Sequence, residues 1–172
     1  MEYIKELCTC LMGINEEDVK KAARIIGQAR IVFTAGNGGS SALASHLVND
    51  LAKISKIKSI CLSDNTSLLT AWANDESYDQ VFARQFQNLA EPGDVLIVIS
   101  SSGRSKNILR VVESAQKKGL KVIGMVGFDG GSFTPDVKLY IPSYDYGVVE
   151  SAHSALVHWL TKLTADKHDM HY

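Results

Sequence analysis

Residues 93–119 decide the fold. They begin Gly93-Asp94-Val95-Leu96-Ile97-Val98-Ile99 and continue Ser100-Ser101-Ser102-Gly103-Arg104-Ser105. Lys106 to Lys118 follow, closed by Gly119. Val95–Ile99 is the most apolar run of the chain and reads as a buried strand. Ser100–Ser105 is a loop, and 106–118 is a helix ended by a glycine C-cap. Upstream, Glu91-Pro92-Gly93-Asp94 has the chemistry of a turn.

The same strand–loop–helix rhythm extends in both directions. Ile31-Val32-Phe33-Thr34 is a second strand, broken by Gly36-Asn37-Gly38-Gly39, and a helix runs from Ser40 to about Ile54. Ser59–Leu62, Val122–Val126 and Lys138–Ile141 are further strands. Thr66–Ala73, Tyr78–Leu89 and Val149–Ala165 read as helices. Residues 2–11 and 16–28 are expected to form a helical lead-in, with Asn15 as an N-cap before Glu16-Glu17-Asp18. Alternation of apolar strands with helices predicts an α/β fold. The expected form is a doubly wound, five-stranded parallel sheet in a three-layer sandwich. Right-handed crossovers leave few topologies, and the order 2-1-3-4-5 fits best. Its switch point lies between the first and third strands, where ligands bind beyond the carboxyl ends. That selects the loops Gly36–Ser41 and Ser100–Ser105.

Composition excludes several classes. The chain has 172 residues, 45% hydrophobic and 22% charged, which suits one domain over 1–172. Residues 1–29 form the lead-in and 166–172 a polar tail, expected to be frayed, that carries His168 and His171. With 18 basic and 19 acidic residues the net charge is −1, so no nucleic-acid footprint is present. No apolar run approaches a membrane span, and the N-terminus lacks a signal-peptide pattern. Cys8, Cys10 and Cys61 are odd in number and lack zinc-ribbon spacing. A reduced, cytoplasmic, soluble protein is expected.

The glycine loop lacks the dinucleotide fingerprint, because Ser41 stands where the third glycine would be. No Gly-Lys-Ser/Thr follows, so it is not a Walker loop. In the second loop, four hydroxyls surround one glycine just before a helix. Hydroxyls and helix N–H groups together can wrap a phosphate without a lysine. His46 and Asp50 are four apart on one helix and share a face. Glu150 and His158 sit on the last helix with Ser154 between them. The two imidazole–carboxylate pairs suit a borderline zinc site, an acid–base pair or separate surface ion pairs. His153 points to a ligand or packs. Asn74-Asp75 ends a helix, by default as a cap.

Together, Gly36-Asn37-Gly38-Gly39-Ser40 and the run 93–105 resemble the sugar isomerase (SIS) domain. His46-Leu-Val-Asn-Asp50, Ala73-Asn74-Asp75, Gly127-Phe-Asp-Gly-Gly131 and 150–158 narrow the resemblance to the phosphoheptose isomerase family, over about residues 16–165. The resemblance implies isomerisation of sedoheptulose 7-phosphate to D-glycero-D-manno-heptose 7-phosphate in a homotetramer with sites at subunit contacts. It implies that Ser100, Ser101, Ser102 and Ser105 hold the phosphate, and that Asn37, Gly38, Ser40 and Asp75 contact the sugar. It further implies zinc held by His46, Asp50, Glu150 and His158. Asp50 stands where the family has a glutamate thought to be the base, and Glu150 where it has a glutamine. Asp50 is therefore expected as the base, with Glu150 its rival and His158 the partner acid or base. The alternatives are a non-catalytic SIS adaptor or sensor, such as a partner of a replication initiator, and an isomerase for another sugar phosphate.

Overall fold

The computed structural model describes residues 1–165, and the tail with His168 and His171 lies outside them. Two helices lead in, α1 (Glu2–Met12) and α2 (Glu16–Gly27). They are followed by β1 (Val32–Gly36), α3 (Gly39–Lys53), β2 (Ser59–Cys61) and α4 (Thr66–Asp75). A 3₁₀ turn over Tyr78–Gln80 then enters α5 (Val81–Leu89). The rest is β3 (Val95–Ser100), α6 (Lys106–Lys117), β4 (Lys121–Val126), β5 (Val137–Tyr140) and α7 (Tyr146–Thr164). The sheet has the expected order β2-β1-β3-β4-β5, and every pair is parallel. No helix among the described residues is long and apolar enough to cross a membrane.

Strand alternation sorts the side chains into two layers. Val95, Ile97 and Ile99 of β3 pack on one face with α1, α2, α3 and α7, while Leu96 and Val98 pack on the other with α5 and α6. Both faces of β3 are thus buried, which is why its run is unbroken by polar residues. Phe33 and Phe86 meet edge to face in the second layer at 5.2 Å. Below the sheet, Arg30 forks onto Asp94 with two donors at 2.9 Å, and Asp94 also accepts from the Ile31 and Glu91 amides. This ties the starts of β1 and β3 together.

The helix boundaries follow their caps. Asn15 accepts from the Glu17 and Asp18 amides, as expected. The segment 78–89 is not one helix, since its first three residues form the 3₁₀ turn. The last helix starts three residues earlier than its apolar pattern suggests, because Asp145 caps it by accepting from the Val148 amide at 3.1 Å. That extra turn brings Tyr146 to the mouth of the functional cleft.

Candidate active site

The glycine loop and the serine loop leave adjacent strands, β1 and β3, and enclose a cleft of about 300 Å³. Gly38 has φ +56° and ψ −126°, a conformation open mainly to glycine, and it starts α3 without a side chain to cap it. The serine loop enters α6 at Ser105, whose hydroxyl makes no capping bond. Two helix N-termini without side-chain caps therefore meet at one cleft. Their orphan N–H groups and dipoles favour an anion.

The serines divide their work. Ser100 Oγ accepts from the Gly103 amide at 3.2 Å, and Ser102 Oγ from the Arg104 amide at 3.3 Å, so both shape the loop. Ser101 Oγ is buried and has no hydrogen-bond partner. Arg104 pairs with Asp129 and ties the loop to the β4–β5 connection. All four predicted serines line the cleft, as do Asn37, Gly38 and Ser40. Asp75 does not: it accepts from Asn74 Nδ2 at 2.9 Å on an exposed corner at the end of α4.

The four predicted metal ligands fall into two groups. His46, Asp50 and His158 come together where α3 meets α7, with one ligand atom of each within 4.8 Å of the others. Asp50 Oδ2 lies 3.5 Å from His46 Nε2 and 3.5 Å from His158 Nδ1, and the two rings meet edge to face at 5.0 Å. Asp50 is buried while both imidazoles are exposed. Two neutral nitrogens and one carboxylate are a fitting donor set for a borderline divalent ion such as zinc.

Glu150 is elsewhere. A Cβ on Gly39 would stand 2.5 Å from its Oε2, so the carboxylate occupies the space that glycine leaves at the start of α3. It lines the serine-loop cleft beside Tyr146. At about 1.5 Å rise per residue, the eight residues to His158 separate the two sites by about 12 Å along α7. Glu150 also borders a second hollow of about 320 Å³ with Tyr3, Leu43 and Ser154, which opens between α1, α3 and α7.

Three site features were not visible in the sequence. Tyr146 belongs to the cleft only because Asp145 lengthens α7. Asn107, in the first turn of α6, pairs with Asn37 through two amide hydrogen bonds of 2.9 Å. Tyr78 donates its hydroxyl to Asn37 Oδ1 at 2.9 Å. A buried asparagine right after a serine loop is the only local signal, because the partner lies 70 residues away. His153 packs instead of facing a ligand. It is fully buried, neither ring nitrogen has a hydrogen-bond partner, and burial pushes its pKa down to about 4.

A parallel sheet in this order, with a hydroxyl-rich anion loop at the switch point, is the arrangement that the resemblance to the sugar isomerase (SIS) domain implies. The SIS domain family model matches residues 1–127. Phosphoheptose isomerase of Campylobacter concisus is 37% identical over 155 residues, covering 86% of this chain and 82% of that protein. The Maridesulfovibrio salexigens phosphoheptose isomerase is 40% identical over 150 residues, covering 82% and 73%. A solved phosphoheptose isomerase from Neisseria gonorrhoeae superposes with a TM-score of 0.87 at 30% identity, over 94% of this chain and 92% of that one. Within the SIS class, the chain belongs to the phosphoheptose isomerase family.

Proposed function

We propose that this protein isomerises sedoheptulose 7-phosphate to D-glycero-D-manno-heptose 7-phosphate. One observation carries the reading: the cleft joins an anion site built from two uncapped helix N-termini to a carboxylate, Glu150, on its wall. The phosphate end of the sugar is held by Ser100, Ser101, Ser102 and Ser105 with the α6 N-terminus. Asn37, Gly38 and Ser40 meet the sugar beyond it. The family's isomerases support the heptose as substrate.

The reaction moves hydrogen between neighbouring carbons. A base takes a proton from C1 of the ketose, a cis-enediol forms, and the proton returns to C2. Glu150 is the carboxylate beside the cleft, which favours it over Asp50 as that base. Such proton transfer contributes about 10²–10⁴-fold, and positioning supplies more. Asp50 instead orders two imidazoles. His158 turns Nδ1 toward Asp50, which leaves Nε2 as the nitrogen that would donate its proton to a sugar oxygen.

His46, Asp50 and His158 would hold a zinc ion. When bound, such an ion supplies Lewis-acid stabilisation of negative charge on a sugar oxygen. Within one protomer this cluster is separate from Glu150, and its imidazoles are exposed. A homotetramer that offers the cluster to a neighbouring cleft unites the two.

Turnover of sedoheptulose 7-phosphate, measured after zinc reconstitution and again after chelation, tests the reading. Aldoheptose 7-phosphate formed with zinc and lost on chelation is the expected result. No product, with sugar-phosphate binding intact, overturns the isomerase reading in favour of a sensor or another sugar.

A further inference from the structure

The side-chain amide of Asn37 has one usable hydrogen bond left, and its polarity is fixed from outside the cleft. The fixing starts at α6. The Ile108 backbone N–H can only donate, and it donates to Asn107 Oδ1 at 3.0 Å. That sets which end of the buried Asn107 amide is oxygen. Asn107 Oδ1 also accepts from Asn37 Nδ2, and Asn107 Nδ2 donates to Asn37 Oδ1, both at 2.9 Å. The Asn37 amide is therefore oriented in turn. Its oxygen receives a second donor, the Tyr78 hydroxyl, at 2.9 Å. An amide oxygen has two lone pairs and an amide nitrogen two hydrogens. Both lone pairs of Asn37 are used, along with one of its hydrogens. The remaining N–H is all that this side chain offers a ligand.

We propose that Tyr78 and Asn107 are positioning residues that hold Asn37 as an obligate donor to an oxygen of the bound sugar phosphate. The proposal rests on the sugar-phosphate reading of the cleft. It adds a specificity rule: the substrate must present an acceptor oxygen there, and a group able only to donate is rejected. Tyr78 is suited to the role because its ring is exposed at 57%, so its hydroxyl is not held in place to complete a core. It also joins the corner after α4 to the cleft, although Asp75 itself is outside.

Tyr78→Phe removes one hydroxyl. We expect kcat/KM for sedoheptulose 7-phosphate to fall roughly 3- to 10-fold, the loss of about one hydrogen bond, with inorganic phosphate affinity and Tm unchanged. Asn37→Ala is expected to cost more. In that background Tyr78→Phe should cost nothing further, because its effect runs through Asn37. An equal loss with and without Asn37, or no loss in the single variant, overturns the proposal. The Asn37 side-chain amide signals, followed by ¹⁵N NMR, keep the two ideas apart. In the wild type they should be resolved and one proton should shift as sugar phosphate is added; in Tyr78→Phe they should broaden. If the wild-type protein does not turn over the heptose phosphate, the isomerase reading falls. The positioning proposal then stands or falls on whether Tyr78→Phe disturbs those amide signals.

Discussion

The serine-loop cleft and the histidine cluster are built in opposite ways. The cleft uses backbone N–H groups, hydroxyls and glycines at the carboxyl ends of neighbouring strands, so most of its parts are close in sequence to one strand or another. The cluster uses three side chains on two helices that lie far apart in the chain, α3 and α7. The cleft gains its charge preference from two helix ends whose N-cap residues, Gly38 and Ser105, make no side-chain capping bond. The cluster gains its order from one buried carboxylate shared by two exposed imidazoles. Glu150 belongs to the first region by position, although its residue type and spacing suit the second. The two regions therefore differ in which carboxylate does which chemistry.

Charge-neutral variants make the sharpest break between them. Glu150→Gln keeps shape and removes the base, so kcat should fall about 10²–10⁴-fold while inorganic phosphate still binds. Asp50→Asn should instead lower bound zinc per protomer, measured by metal analysis, with activity lost in proportion to the metal. If Asp50→Asn kept full zinc and lost turnover while Glu150→Gln stayed active, the two roles would have to be exchanged. Gly39→Ala probes the same carboxylate sterically. The new Cβ meets the end of the Glu150 side chain at 2.5 Å, and that end can swing away without unfolding the protein. A misplacement of about 1 Å can cost about 10²-fold in rate, so activity should drop while Tm holds. A fully active Gly39→Ala enzyme would remove Glu150 from the reaction.

Much of this was readable beforehand, for physical reasons that differ by region. The strand order followed from the apolar runs and the alternation, and the β3 run needed no partner to be recognised. The two loops followed from the order, because a doubly wound sheet has one switch point. The pairing of His46 with Asp50 was local to a helix face. The separation of Glu150 from His158 was not legible. Spacing on α7 places both toward α3, but the parallel course of the helices puts Glu150 at Gly39 and His158 at His46. The Asn37–Asn107–Tyr78 chain was hidden because it joins three elements by side-chain polarity, which no periodicity encodes. The 3₁₀ turn is not legible in the sequence because Tyr78–Gln80 continue the pattern of α5 and differ only in backbone bonding.

The buried imidazole of His153 separates fold from site. It stays neutral in the folded protein, since burial lowers its pKa from 6.5 to about 4, and the nearby Val126 backbone only partly offsets this. The unfolded chain therefore binds one more proton between those values, so stability falls as pH drops through that window. The full loss is about 3 kcal/mol, complete below about pH 4 and absent above about pH 7. Denaturant titrations at pH 7.5, 5.5 and 4.5 should show a shallower pH slope for His153→Leu than for wild type. Equal slopes would mean that the ring finds a partner on protonation.

The smallest expected effect falls on Ser105, where capping and binding make different demands of one hydroxyl. As an N-cap, Ser105→Ala would destabilise α6 by about 1 kcal/mol and lower Tm. The hydroxyl makes no such bond, and Ser105 lines the cleft. The substitution should leave Tm within about 1–2 °C and raise KM for the sugar phosphate roughly 3- to 10-fold, the range for one hydrogen bond. Because a phosphate contact is made equally before and during the reaction, kcat should be unchanged. A lowered Tm with unaltered KM would return Ser105 to a purely structural role and leave the anion to the other three serines and the two helix ends.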